Sequence, residues 1–327
     1  MKEKFSGNLR FAHGFQSKSR LNKESAQFAV HMTHYFFLIV LGFVFLYPFL
    51  YMVAKSVMSY SDITDPTIKW FAKNPTVENY VLAYNMLDAL RSGFNSLTVA
   101  AIATFGHLFS CSLIGYGLSR FEFRGKGIIF FGVILSIVIP AQNLIIPRYI
   151  IFSNVEQALG GNINLLDSYI PFLLPTFFGF GLFGGLYIFL FRQYFYRFPK
   201  TVEEAAAVDG AGPLRTFFSI VLPSAGSTII VCLVLSIVWH WNDYYEPNIY
   251  LTSPTKWLLP QVLPDLYNRI QSVAQVAGEA MGSESLTKYH DGVVMAATAI
   301  TTFPLLIMYA FLQRRFMAGV ERSGLVE

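Results

Sequence analysis

A chain of 327 residues that is 54% hydrophobic and 17% aromatic but only 13% charged carries about half the charge of a soluble domain. Its net charge of +4 is scattered between apolar runs rather than gathered in one patch, which argues against a nucleic-acid surface. Both cysteines, Cys111 and Cys232, fall inside apolar runs, which points to buried thiols rather than a disulfide framework or a metal site.

In chain order, residues 1–34 read as a tail in which Lys2, Lys4, Arg10, Lys18, Arg20 and Lys23 outnumber Glu3 and Glu24. It suits an interfacial helix or a disordered basic leader equally, and it shows no cleavable signal peptide. Six apolar runs follow: Tyr35–Val53, Ser96–Leu118, Gly127–Ile146, Tyr169–Leu190, Pro223–Trp241 and Gly292–Leu312. None contains Lys, Arg, Asp or Glu. Each approaches the roughly 20 residues that cross a hydrocarbon core. Lipid cannot satisfy free backbone groups, so each run is expected to be helical. A barrel would show alternating runs of about 10 residues instead.

The turn between the second and third runs is Ser119–Lys126, SRFEFRGK. It is not a phosphate loop, because Gly125-Lys126 is followed by Gly127 and Arg120 occupies the position of the earlier glycine. Arg120, Arg124 and Lys126 read chiefly as charges that set topology. Pro140, Pro147, Pro171, Pro175 and Pro304 kink or border the spans. Such kinks serve either packing or a pathway that opens and closes. Gly181 and Gly185 form a small-xxx-small pair suited to helix packing. His107 is either a functional ionisable group inside the membrane or a histidine hydrogen-bonded within the bundle.

Thr201–Pro223, TVEEAAAVDGAGPLRTFFSIVLP, is neither lipid-like nor a simple connector. Thr201 and Glu204 have the spacing of a capping box. Ala205, Ala206 and Ala207 favour helix. Asp209-Gly210 breaks it, and Pro213 opens a second helix. Leu214, Phe217, Phe218 and Val221 follow as one apolar stripe. The segment reads as two short helices joined by a small-residue elbow.

After the fifth run, Trp239–Pro247 sets two indoles beside Asn242, Asp243, Tyr244 and Tyr245. That array suits either sugar contact through aromatic faces and polar groups, or an aromatic belt with Asn242 and Asp243 capping backbone. The connector Glu246–Asp291 is long, and residues 275–290 read as external length, either a contact for an outside partner or a surface decoration. Lys and Arg number 16 in the segments 1–34, 119–126, 191–222 and 313–327, against 8 in the others. This bias places those segments, the Thr201–Pro223 elbow and both termini in the cytoplasm.

Glu204-Ala205-Ala206, Gly210 and Ile220-x-Leu222-Pro223 resemble the EAA loop of ATP-binding-cassette importer permeases, with the family spacing at every position. The Ser119–Lys126 turn resembles the R-F-x-F-x-G-K turn of the sugar-importing branch. Trp241-Asn242-Asp243 with Pro247 resembles that branch's W-N-[DE] signature. Gln313-Arg-Arg-Phe-Met-Ala-Gly319 resembles the family ending, though the chain closes on Glu327 where a basic residue and glycine are usual.

The resemblance covers nearly all of residues 35–327. It implies an all-α, six-helix type I importer transmembrane domain, similar to the second permease of maltose-type systems. Such a subunit is a multi-pass protein of the bacterial plasma (inner) membrane, not an enzyme, and moves a sugar, here an oligosaccharide, by alternating access. The resemblance places ATP and Mg on a partner ATPase and gives this chain no cofactor. Its implied partners are a second homologous permease, two ATPase subunits and an extracytoplasmic solute-binding protein. It assigns ATPase coupling to Glu204, Ala205, Ala206, Asp209, Gly210 and Ala211, with Glu204 in a salt bridge to a basic ATPase side chain. Trp241, Asn242, Asp243 and Tyr244 become candidates for the substrate pathway.

An importer of a charged solute is a second reading, opposed by the sugar-branch signatures and by spans without countercharges. An ion-coupled carrier is a third, opposed by the lack of Asp or Glu within the spans.

Overall fold

The computed structural model describes residues 4–161, 163–280 and 290–323. Its helices are α1 (Lys4–Ser56), α2 (Tyr60–Thr64), α3 (Glu78–Met86), α4 (Ala89–Arg120), α5 (Lys126–Val138), α6 (Ile145–Ala158), α7 (Ile170–Leu173) and α8 (Gly184–Arg197). After these come α9 (Lys200–Val208), α10 (Pro213–Thr216), α11 (Leu222–Ser224), α12 (Gly226–Trp241), α13 (Tyr245–Tyr250), α14 (Leu259–Ala280) and α15 (Asp291–Ser323). Among the described residues, the one extended pairing is an isolated bridge between Met58 and Pro75.

Three stretches are long and apolar enough to cross a membrane singly: Val30–Ser56, Ala89–Arg120 and Asp291–Met317. Two bent pairs qualify together, Lys126–Val138 with Ala141–Ala158, bent by 107°, and Pro213–Ser224 with Gly226–Tyr250, bent by 78°. The backbone of α1 runs without a break through residue 34, so the expected boundary between tail and span lies inside one helix. Residues 281–289, most of the expected external insertion, and the ending 324–327 lie outside the described residues.

Three expected spans are not single helices: Pro223–Trp241 breaks near its start, at Ala225 between α11 and α12, and the other two break further inside. Residues Gly127–Ile146 stop being helical at Val138, because Pro140 forces Ile139 into extended geometry (ψ 121°). The chain then turns through a 3-10 segment, Ala141–Leu144, into α6. Residues Tyr169–Leu190 divide into α7, a 3-10 segment Leu174–Phe178, and α8. Between them Gly179 and Gly181 take φ +76° and +108°, and Phe183 takes +60°. Gly181 therefore does not share a helix face with Gly185, contrary to the small-xxx-small expectation. Gly185 does pack tightly: a Cβ there would collide with Ser136 Oγ and sit 2.8 Å from the Val133 carbonyl of α5.

A broken backbone at membrane depth needs internal partners, and α4 supplies them. Ser110 Oγ donates to the Thr176 carbonyl at 2.6 Å. His107 Nε2–H donates to the Phe180 carbonyl at 3.1 Å. Its Nδ1 accepts from Ser236 Oγ at 3.4 Å, and that oxygen in turn accepts from Thr104 at 3.0 Å. His240 Nδ1–H donates to the Ser236 carbonyl at 2.8 Å. These assignments satisfy His107 as a neutral, hydrogen-bonded histidine, the second of the two sequence readings.

One cluster of buried side chains, including Tyr187, Phe191, Phe195, Phe217 and Val221, joins α4, α8 and α12. Another, around Leu266, Trp241, Val293, Ala296 and Ala297, joins α12, α14 and α15. Cys111 and Cys232 are buried, unpaired thiols of the first cluster.

Candidate functional site: an exposed elbow and a cavity behind a broken span

The elbow takes the form its residues dictate, with one exception. Pro199, at φ −61°, feeds the chain directly into α9, so the helix starts at Lys200 and no side chain caps it. Thr201 then lies within the first turn, and the expected capping box with Glu204 does not form. At the other end the Ala211 amide bonds the Ala206 carbonyl at 2.9 Å and the Gly210 amide bonds Ala207 at 3.0 Å. This is a Schellman ending, and it requires the left-handed geometry that Gly210 adopts at φ +81°. Pro213 opens α10 directly after Gly212.

The expected apolar stripe divides. Phe217 and Val221 are buried, while Leu214 is 69% and Phe218 44% exposed. Phe217–Val221 is a π-helical turn, which shifts the side-chain register ahead of Pro223.

Of the coupling candidates, Glu204, Ala205, Asp209 and Gly210 are exposed, Ala211 is half-buried and Ala206 is buried. Val208 is 87% exposed. The neighbouring Glu203 points inward instead. Its carboxylate lies 2.6 Å from Arg120 Nε, with the side chains 7% (Arg120) and 17% (Glu203) exposed. Tyr116 donates to Glu203 at 3.1 Å, and Arg120 also donates to the Phe198 carbonyl at 2.6 Å. One guanidinium thus fastens the end of α4 to the end of α8 and to the elbow helix. A cleft of about 350 Å³ opens beside this clamp, lined by Tyr116, Arg120, Glu203, Glu204, Ala207 and Ala211. The sequence reading of Arg120 as a topology charge missed this. Its partner lies about 80 residues away, and the one local signal was an arginine at the last position of a long apolar helix.

At the opposite end of α8 and α12 lies a second cavity, also about 350 Å³. One wall is the broken segment Gly179–Gly185, and another is the Ile139–Gln142 bend. Asn242, Asp243 and Tyr244 line it together with Trp239 and Arg148. Trp241 does not: it is 6% exposed and its indole donates to the Thr301 carbonyl at 3.1 Å. Trp239 takes its place at the cavity, packed at a 34° tilt against Phe183 with ring centroids 4.1 Å apart.

Asn242 ends α12, its side chain donating to the Val238 carbonyl at 2.9 Å. Asp243 Oδ1 accepts from the amides of Tyr245 at 3.1 Å and Glu246 at 3.4 Å, so both residues also cap backbone. Arg148 and Glu246 form a buried ion pair at 2.6 Å, with 14% and 3% of their side chains exposed. Neither was marked in the sequence, because α6 and α13 meet only in the fold. Outside the spans, Asp167 anchors the 252–256 loop. Burial pushes its carboxyl up, but the hydroxyl and amide of Ser253, the Lys256 ammonium and the Thr252 amide together outweigh that and hold it well below the usual carboxylate range.

The elbow and the cavity are thus joined by two helices of 14 and 16 residues, a distance of roughly 20–24 Å. A family model described as "Binding-protein-dependent transport system inner membrane component" matches residues 111–322. The chain is 28% identical over 288 residues to the polygalacturonan/rhamnogalacturonan transport system permease protein YtcP of Bacillus subtilis, covering 88% of this chain and 95% of that one. It is 24% identical over 297 residues to the arabinooligosaccharides transport system permease protein AraQ of Halalkalibacterium halodurans, covering 88% and 95%. In structure it resembles a chain of a bacterial ABC transporter involved in the import of the acidic polysaccharide alginate, with a TM-score of 0.69 and 22% identity over 87% of this chain and 95% of that one. That likeness speaks for the fold.

Proposed function

The chain belongs to the binding-protein-dependent transport system inner membrane components, and from that premise we propose that it passes a sugar, an oligosaccharide, through the bilayer by alternating access. A permease of this family is not itself catalytic. It works with ATPase subunits, which bind the ATP, and with a solute-binding protein. In our reading the assembly holds a second, homologous permease and two ATPase subunits, and both termini of this chain lie in the cytoplasm.

The observation that carries the reading is the juxtaposition of an exposed elbow and a walled cavity at opposite ends of α8 and α12. Glu204, Ala205, Ala206, Asp209, Gly210 and Ala211 seat in an ATPase cleft, with Glu204 paired to a basic side chain there. Closure of the ATPase dimer moves α9. The Arg120–Glu203 ion pair passes that movement to α4 and α8 without slack, because its partners are buried. The cavity wall formed by Gly179–Phe183, already irregular, is the element with two arrangements that nucleotide at one end and solute at the other can bias. Asn242, Asp243, Tyr244 and Trp239 contact the solute, and Trp241 holds α12 against α15. Sugar cargo is supported by the aromatic face of Trp239 beside uncharged polar groups, and by relatives named for glycan transport.

Gly210→Pro tests the reading in the assembled complex. Proline cannot adopt φ +81°, so membrane insertion should survive while ATP hydrolysis and sugar uptake separate. Normal sugar-stimulated uptake in that variant would remove the coupling role.

A further inference from the structure

The charge on the cavity wall bears on which sugars can enter. Among the described residues lining the cavity, the charged side chains are Arg148 and Asp243. The Arg148 guanidinium is already neutralised by Glu246 at 2.6 Å, in a pair of which Glu246 is 3% exposed. Turning Arg148 toward an anionic ligand would strand that carboxylate in a dry, low-dielectric setting, where an uncompensated charge is strongly unfavourable. Asp243, fixed by its two amide contacts, offers no positive charge when protonated and a repulsive one when ionised. What remains for a ligand is uncharged: the amides of Gln142 and Asn242, the hydroxyl-bearing side chains of Ser136, Tyr244 and Tyr245, and the indole of Trp239. Such a wall satisfies hydroxyl groups and gives a carboxylate or phosphate no countercharge.

Resting on the sugar-permease reading, we propose that Arg148, Glu246 and Asp243 act together as a charge filter, so that this permease takes uncharged glycosides and rejects uronates and sugar phosphates. The cargo would then differ in charge from the acidic polysaccharide named for the structurally similar importer and from the polygalacturonan, a polyuronate, named for YtcP; those names support a glycan cargo but not its charge.

The test is equilibrium binding to the purified permease–ATPase complex without its binding protein, so that only the membrane cavity discriminates. Labelled neutral di- to tetrasaccharides are compared with uronate oligosaccharides of the same lengths. The expected result is at least ~10-fold tighter binding of a neutral member. Glu246→Gln, which frees the Arg148 charge, should narrow that ratio by about tenfold; Asp243→Asn should narrow it less and provides the arm to read if Glu246→Gln does not assemble. Uronates bound as tightly as neutral sugars, or a ratio unchanged in the assembled variant, would overturn the filter. Binding of neither class would instead sink the sugar-permease reading on which the filter rests.

Discussion

At the elbow, the defining hydrogen bonds close within a turn, Ala211 to Ala206 and Gly210 to Ala207, whereas the cavity is held by partners that lie 66, 98 and 132 residues apart in the chain. The elbow is consequently a local object, rigid by its own caps and exposed on most of its surface. The cavity is a tertiary object, with an interrupted backbone stabilised by α4 side chains. On the proposed reading, the first design suits an elbow gripped by another chain, and the second suits a wall that changes arrangement, since its carbonyls already depend on side chains that can exchange partners. The Arg120–Glu203 clamp belongs to both, a long-range contact that seats the local elbow.

The largest effect is expected at the clamp, where the local elbow meets the long-range contacts. Arg120→Ala leaves the Glu203 carboxylate buried without its partner, and stability of the purified subunit should fall by about 3–5 kcal/mol. The double variant Arg120→Ala/Glu203→Ala should recover part of that loss in thermal melts. Additive losses would show that the pair is not coupled. A smaller effect is expected from His107→Ala, which removes the donor to the Phe180 carbonyl. The orphaned carbonyl should cost about 1–3 kcal/mol, and the loss should appear as faster amide exchange around Gly179–Phe183 with α9 unchanged. Equal exchange at both ends would erase the distinction between them.

At the elbow, Gly210→Ala should cost about 1–2 kcal/mol because of its positive φ, while Gly212→Ala, at φ −70°, should be close to neutral. Matching losses at the two glycines would contradict the Schellman ending. The smallest effect concerns acid. A carboxyl held below its ordinary 3.8, as Asp167 is, contributes stability that is present above that value and is lost as pH falls below it. Melting of the wild type should therefore decline below about pH 4 more steeply than melting of Asp167→Asn, and parallel declines would remove Asp167 as the cause.

Much of the elbow was legible because its signals are adjacent in sequence. Gly210 and Pro213 stand where caps need them, and the alanines where helix is favoured. The capping box failed because Pro199, two residues upstream of Thr201, started the helix earlier. The apolar stripe failed because a π-helical turn shifted its register. In the spans, hydropathy located the apolar runs but not their continuity. Pro171 and Pro175 in Tyr169–Leu190 mark a kink, the glycines there read as a packing pair rather than a break, and nothing local discloses that Ser110 and His107 hold the break open. Of the W-N-D stretch, Asn242 and Asp243 line the cavity, whereas Trp241 turns to Thr301 and Trp239, two residues earlier, faces the cavity, an alternation that the stretch itself does not disclose.

The most direct test of the account is disulfide trapping between the elbow and the ATPase in the assembled transporter. Ala205→Cys is suited to it, because Ala205 is exposed and both native cysteines are buried. The account predicts cross-linking to a cysteine in the ATPase cleft, with a yield that changes when ATP is added, and no labelling of Ala205→Cys by a membrane-impermeant maleimide in intact cells. Labelling from outside, or a cross-link absent with and without nucleotide, would contradict it.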